Sequence, residues 1–256
     1  IWREFWQISW LHNNIDEDLR HPQEDVKYTG MPYLIYHHAT DIKAIDFAVK
    51  ALYEKGYMHN HLRMYVASLT TNIAKYHWKI PAKWMYYYLL DADWGSNALS
   101  WQWVCGTNSH KKYYANQENI NRFTKLNQQG TILDKSYSDL SSINFSNIFL
   151  KVYDINFFVN FPKSDIFHNE PQKPICIYNY YNLDPKWRKE EDAHRILLLE
   201  PSIFKKYPIS DQSMKFMIDL SKNINGIKIF VGEFRELPVK GSKVFFKEHP
   251  LNYNYK

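Results

Sequence analysis

Gly56–Met64 reads GYMHNHLRM and Asp91–Trp103 reads DADWGSNALSWQW. On a helix, Asn60, Arg63 and Met64 of the first stretch lie three and four apart and share a face. That face offers an amide, a fixed cation and a soft apolar group side by side. An interior arginine requires an anionic partner, because burying its charge unpaired is very costly. Asp91 and Asp93 are the natural candidates, together with the polar edge of a bound cofactor. An ordinary bridge between two helices would use the same residues. In the second stretch the aspartates can cap backbone N–H groups at a helix start or accept hydrogen bonds from a cofactor. Asn97 both donates and accepts. Trp103 can offer its face to an unstacked base or pack against its own turn.

Composition sets the frame around these stretches. The 256 residues are 45% hydrophobic, enough for a sizeable core without disulfides. Aromatic residues make up 17%, with 20 Tyr, 15 Phe and 9 Trp. Most must fill the core, and the surplus suits stacking on a flat cofactor or on bases. The net charge of +5 permits a polyanionic partner without demanding one. Cys105 and Cys176 follow no metal spacing and are too few for a four-cysteine cluster. No metal or metal cluster is expected, and a reducing, cytoplasmic setting is the simplest reading. No run of about 18 apolar residues predicts a membrane span. The chain begins at Ile1 inside an apparent helix, so part of any site is expected upstream.

Outward from the two stretches, the front of the chain reads as helical. Trp2, Phe5, Trp6 and Ile8 sit near helical spacing, and residues 15–35 are a loop broken by Pro22, Gly30 and Pro32. A helix is predicted from Asp41 to about Tyr57, stopped by Gly56, and another from about His59 to Lys75. Pro81 opens a fourth. After about Lys125 the character changes. Ile175–Tyr178, Ile196–Leu199, Ile227–Val231 and Val244–Phe246 read as short buried strands, with an amphipathic helix at Asp211–Lys222. Strand, helix, strand without a tight hairpin predicts a parallel α/β unit. The expected organisation is a helical domain over 1–125, a connecting segment over 126–173 and a small α/β domain over 174–256.

The order and spacing of the two stretches resemble the DNA photolyase and cryptochrome family, whose core reads W-M-H-N-R-L-R-M and then D-G-D-L-A-x-N-x-x-x-W-Q-W. Ile1–Phe5 (IWREF) is similar to the family's I-W-R-E-F, and the resemblance covers roughly residues 1–105. It implies a mainly α fold, the family's FAD-binding helical domain, followed here by the smaller α/β unit with its short parallel sheet. It also implies FAD held by Arg3, Tyr57, Asn60, Arg63, Asp91, Ala92, Asp93 and Asn97, with Arg63 paired to Asp91 and Asn97 facing the flavin N5. Trp101 and Trp78 match the inner two members of the electron chain that photoreduces the flavin. The outer member has no match, leaving Tyr28 or nothing. Trp2 and Trp103 match the aromatics flanking a flipped-out pyrimidine dimer. Arg3, Asn60, His61 and Met64 fall on the lesion-binding and DNA-binding surface. Asn60 and Met64 match the pair found in enzymes acting on cyclobutane dimers, and Asn97 also leans towards photolyase.

The implied activity is that of a deoxyribodipyrimidine photolyase, a carbon–carbon lyase acting as a monomer on ultraviolet-damaged DNA. The alternatives are a cryptochrome-like blue-light photoreceptor and a relic without FAD; the retained Arg63, Asp91 and Asn97 speak against the relic. Departures from the family pattern are Tyr57 for Trp, His61 for Arg and Ala92 for Gly. Lys112–Phe123 (KYYANQENINRF) resembles the iron–sulfur bacterial photolyases, yet the cluster cysteines are absent. The phosphate-binding loop and a lesion-binding Glu are expected upstream of Ile1. The strand–helix–strand pattern around RILLLEP and KIFVGEF suggests an accessory unit shaped like the family's antenna domain, with an unidentified second, antenna chromophore as a further expectation.

Overall fold

The computed structural model describes residues 2–142, 146–168, 170–238 and 242–255. The chain forms two compact units, Ile1–Asn156 and Phe157–Lys256. Among the described residues no helix is long and apolar enough to cross a membrane.

The first unit is built from helices whose ends follow their local chemistry. The Lys43–Lys55 helix buries Ala44, Ile45, Ala48, Val49 and Leu52 on one stripe and stops at Gly56, which adopts a left-handed φ of 63°. A side chain at Gly56 would place its Cβ 2.4 Å from Leu90 Cγ. The next helix, Asn60–Ser68, passes directly into a π-helical turn, Leu69–Ile73. There the hydroxyls of Thr70 and Thr71 donate to the carbonyls of Val66 and Ala67 at 2.7 and 2.8 Å. They compete with the backbone ladder where it widens, as Ala74 N–H reaches back to Leu69 O. The helix expected to begin at Pro81 instead starts at Lys79. Pro81 lies in its first turn, where a missing N–H costs nothing.

The Trp94–Cys105 helix is buried on nearly every side and packs against the Trp2–His12, Asn60–Ser68 and Lys79–Tyr88 helices. At Gly95 the first of these approaches is close, with a Cβ there falling at ordinary contact distance, 3.4 Å from the Trp10 ring and 3.6 Å from the Trp6 carbonyl. Gln102, fully buried on this helix, clamps the loop that follows the first helix. Its amide donates to Ile15 O and Glu17 O at 3.1 Å and accepts from Leu19 N–H at 2.8 Å. Residues beyond 125 also join this unit. Met31–Pro32 pairs antiparallel with Val152–Tyr153, and the Tyr76 hydroxyl donates to Phe149 O at 2.7 Å.

The second unit holds a four-stranded sheet, in the spatial order Ile227–Val231, His194–Leu199, Ile175–Tyr178, Val244–Phe246. Every pairing is parallel, with Ile177 opposite Ile196 and Leu197 opposite Ile229. The parallel α/β reading therefore holds. The first strand in sequence lies inside the sheet, two later strands extend one side and the last adds to the other, a doubly wound order. Ile175, Ile177, Ile196, Leu198 and Leu237 form one core, covered by Phe230, Phe246 and Tyr255.

Replacing Gly56 by Ala imposes both a left-handed backbone and a collision with Leu90, an expected cost of about 2 kcal/mol or more. A thermal melt of the Gly56→Ala protein should show a clear drop in Tm. An unchanged Tm would show that the close approach is not required.

Candidate cofactor and lesion site

Gly56 and Leu90 also bring the two sequence stretches together, because Leu90 N–H donates to Gly56 O at 2.9 Å. The stretch Tyr57–His59 then leads into the Asn60–Ser68 helix, while Asp91–Asp93 leads into the Trp94–Cys105 helix. Arg63 is fixed from both sides. Its Nε–H donates to Met58 O at 2.7 Å, and Nη2 donates to both Asp91 oxygens at 2.9 Å. The side chain of Asp91 is 56% exposed, so this pair contributes at most about 1 kcal/mol to stability. Its consequence is orientation: a planar cation and a carboxylate held at the junction of two helices.

Asp93 is the N-cap of its helix, and its Oδ1 accepts from Ser96 N–H at 2.7 Å. Asn97, one turn into that helix, donates its amide N–H to Ala82 O at 2.8 Å. This bond fixes the amide so that its oxygen remains the accepting end. Ala92, between the two aspartates, is buried. The Arg63–Asp91 pair and the polar groups of Asp93 and Asn97 thus sit on the Asn60–Ser68 and Trp94–Cys105 helices and the stretches leading into them, and these two helices pack together.

Apart from Trp2 and Arg3, the residues read as lesion contacts fall on the same two helices. Asn60 opens its helix and is exposed, while Met64, one turn on, is half-buried. Tyr57 is exposed in the connecting stretch. Trp103 is 45% exposed, and its ring stacks on Tyr113 with centroids 5.5 Å apart. His61 stacks on Phe123 at 4.6 Å and on His59 at 5.4 Å, so an aromatic face stands where the family pattern has a cation. Trp2 and Arg3 belong to the first helix by backbone, but their side chains lie outside the described residues. The Lys112–Phe123 segment meets the Asn60–Ser68 helix through the Tyr65 hydroxyl, which donates to Asn119 Oδ1 at 2.8 Å.

The two matched electron-chain residues are core residues: Trp78 is fully buried and Trp101 is 2% exposed. Trp101 lies four residues after Asn97 and so shares its side of the helix. Tyr28 is half-buried, with its ring 5.1 Å from that of Tyr76. Sequence reasoning missed the partners of the tryptophans. The Trp78 indole N–H donates to Asp18 Oδ1 at 2.7 Å, and that of Trp94 donates to Asp16 Oδ1 at 2.8 Å. Both aspartates belong to the loop that Gln102 clamps, and an Asp-x-Asp in a polar loop carries no periodic signal. Burial pushes the Cys105 thiol up to about 12, which marks it as packing rather than a nucleophile. Among the described residues no group of three or more His, Cys, Asp or Glu could hold a metal ion.

These features define a class: a helical cofactor-binding domain whose ion pair stands at the junction of two helices, one of them carrying a buried tryptophan. Residues 1–149 match the family described as the FAD binding domain of DNA photolyase, and the chain belongs to that family. A deoxyribodipyrimidine photo-lyase of Buchnera aphidicola subsp. Baizongia pistaciae is 26% identical over 194 residues, 73% of this chain and 38% of that protein. One of Agrobacterium fabrum is 40% identical over 68 residues, 27% of this chain and 14% of its own length. Cryptochrome-1 of Arabidopsis thaliana is 32% identical over 68 residues, again 27% of this chain and 10% of its own length. The chain therefore spans well under half the length of these curated relatives.

FAD is the cofactor of this domain. The donor set fits it: a guanidinium, two carboxylates and an amide oxygen can meet the N–H and C=O groups along the edge of a flavin ring. Arg63→Ala would leave Asp91 and the Met58 carbonyl without their shared donor. FAD retention on gel filtration should fall by at least about tenfold, which corresponds to about 1.4 kcal/mol, with circular dichroism unchanged. Full retention of flavin would remove Arg63 from the binding set.

Proposed function

We propose that the full-length protein repairs cyclobutane pyrimidine dimers in DNA under blue light. The observation that supports this most is the placing of Asn60 and Met64. They lie on the accessible side of the helix whose Arg63 holds Asp91, so lesion contacts and cofactor contacts share one rigid element. Bound FAD would supply the light-absorbing group and the electron that opens the dimer and then returns, so no proton-transfer residue is required. The chain's own residues bind and orient. Arg63, Asp91 and Asp93 hold the flavin edge, with Tyr57, Ala92 and Arg3 in the remaining cofactor positions. Asn97 presents its amide oxygen to the flavin N5. Asn60 and Met64 contact the lesion, His61 and Arg3 face the DNA, and Trp2 and Trp103 flank a flipped-out dimer. Flipping costs a few kcal/mol, least for a damaged and poorly stacked pair.

One feature favours a second reading, a blue-light photoreceptor of the cryptochrome kind. His61 is engaged in stacking with Phe123 and His59 instead of offering a permanent cation to a phosphate. The full-length protein loaded with FAD should convert dimer-containing oligonucleotides to intact thymine pairs under blue light and leave them unchanged in the dark. Light-dependent partner binding with no repair would replace the first reading by the second. In the same preparation Trp101→Phe should slow flavin photoreduction while FAD stays bound. Loss of FAD would show that Trp101 is packing, not part of an electron path.

A further inference from the structure

The loop between the first helix and Tyr28 grips Trp78 at two points. Gln23 Oε1 accepts the Trp78 backbone N–H at 2.9 Å, and Asp18 Oδ1 accepts its indole N–H at 2.7 Å. The carboxylate is itself oriented, since Asp18 Oδ2 accepts from Gln23 N–H at 2.8 Å. His77 stands beside it, its Nε2 3.5 Å from Asp18 Oδ1. Burial holds the His77 imidazole below its ordinary range, so it is neutral near pH 7. Its Nδ1 accepts from Lys79 N–H at 3.3 Å, which puts the ring proton on Nε2, facing Asp18. The neighbouring lysine, Lys79, is committed to Glu17 at 2.7 Å. Asp18 Oδ1 therefore faces two neutral donors, the His77 Nε2–H at 3.5 Å and the Trp78 indole N–H at 2.7 Å, and the shorter contact is to the indole. Trp101 has no such acceptor on its indole among the described residues, although it is as deeply buried.

We infer that Asp18 is a positioning residue that makes Trp78 the place where an electron vacancy comes to rest, by taking the indole proton when Trp78 is oxidised. The inference rests on the electron-path reading of Trp78 and Trp101. In the step, Trp78 gives one electron, by way of Trp101, to light-excited oxidised FAD. The Nε1–H bond breaks and an O–H bond forms on Asp18 Oδ1. Trp78 becomes a neutral radical, Asp18 a neutral acid, and the flavin is reduced by one electron. A carboxylate favours this in two ways: its charge stabilises the positive indole before the proton moves, and the charge-assisted hydrogen bond is already made. The Asp18 side chain is 22% exposed, so the proton can pass on to water. Losing the proton removes the driving force for immediate return of the electron. A chain lacking a matched outer tryptophan needs such a sink, because a surface tryptophan would otherwise release its proton to solvent.

The test is flash spectroscopy on the full-length, FAD-loaded protein and its Asp18→Asn variant, following the tryptophan radical from its cationic to its neutral spectrum. The variant should deprotonate about a hundredfold more slowly, the low end of what a positioned acid–base group contributes, and should lose its radical faster by electron return. Time-resolved infrared spectroscopy of the wild-type protein needs no variant, and a protonated carboxylic acid band should rise with the neutral radical. In the cofactor-free protein, the Trp78 indole proton resonance should lie far downfield and move upfield in Asp18→Asn. Equal deprotonation rates in both proteins, or no carboxylic acid band, would overturn the role of Asp18 and leave the electron path standing. Absence of any Trp78 radical in the wild-type protein would overturn the electron path and this inference with it.

Discussion

The arrangement depends on a contact that only glycine permits. Gly56 ends one helix in a left-handed turn and presents its carbonyl to Leu90 N–H, while Leu90 Cγ occupies the space a side chain would fill. One short hydrogen bond therefore fixes two helix starts that are more than thirty residues apart in sequence. From that point each segment needs only a few residues to deliver its functional groups. The Arg63–Asp91 pair closes the same junction from the far side. Because this pair is partly exposed, it adds little to stability and acts mainly on geometry. The tight backbone approach supplies the rigidity, and the ion pair holds two charged groups in a fixed orientation beside it.

The motifs were legible because they lie on regular elements. The spacing of Asn60, Arg63 and Met64 on a helix and the stop at Gly56 follow from period and turn chemistry, while charge narrowed the partner of Arg63 to Asp91 or Asp93 and the family resemblance singled out Asp91. The four strands were legible as short apolar runs, and their parallel pairing from a strand–helix–strand pattern without a tight hairpin. What escaped the sequence lies in the loop at 15–25. Gln102 reads as the middle of an aromatic triplet, yet its amide fixes three backbone groups of that loop. Asp16 and Asp18 read as surface acids, yet each accepts an indole N–H from a buried tryptophan. Such bonds join residues 60–90 positions apart and leave no periodic trace. The π-turn at Leu69–Ile73 escaped for a related reason, since threonine hydroxyls alter the ladder without changing which face is apolar.

Segment roles in the first unit also differ from what composition suggests. The Asn- and Ser-rich stretch after Lys125 looks like a linker, but part of it completes the fold around Tyr76 and the Met31–Pro32 strand. Gln128 accepts Lys43 N–H and donates to Asp41 O, bracing the start of the helix that Gly56 later ends. Polar residues here serve as connectors, because side-chain amides satisfy backbone groups at helix ends that have no partner of their own.

The Trp94–Cys105 helix shows how one element can serve two demands. This helix keeps only a narrow open stripe through Ser96, Ser100 and Trp103 and is buried on its other sides. Away from that stripe the polar side chains have partners: Asp93 caps Ser96, Asn97 holds Ala82 O, and Gln102 holds the 15–19 loop. Only after its amide N–H is spent on Ala82 does Asn97 have a defined accepting end. Trp101, one turn further along the same side, is then held at a fixed separation from Asn97 by the helix itself. Helical geometry sets the distance between the Asn97 amide and the Trp101 ring, so no loop motion can change it. The tunable elements lie one layer out, where Asp18 and Gln23 of the clamped loop set the surroundings of Trp78. Separation along this helix is thus fixed by its own geometry, while the hydrogen-bond surroundings of Trp78 come from a loop that Gln102 ties to the same helix.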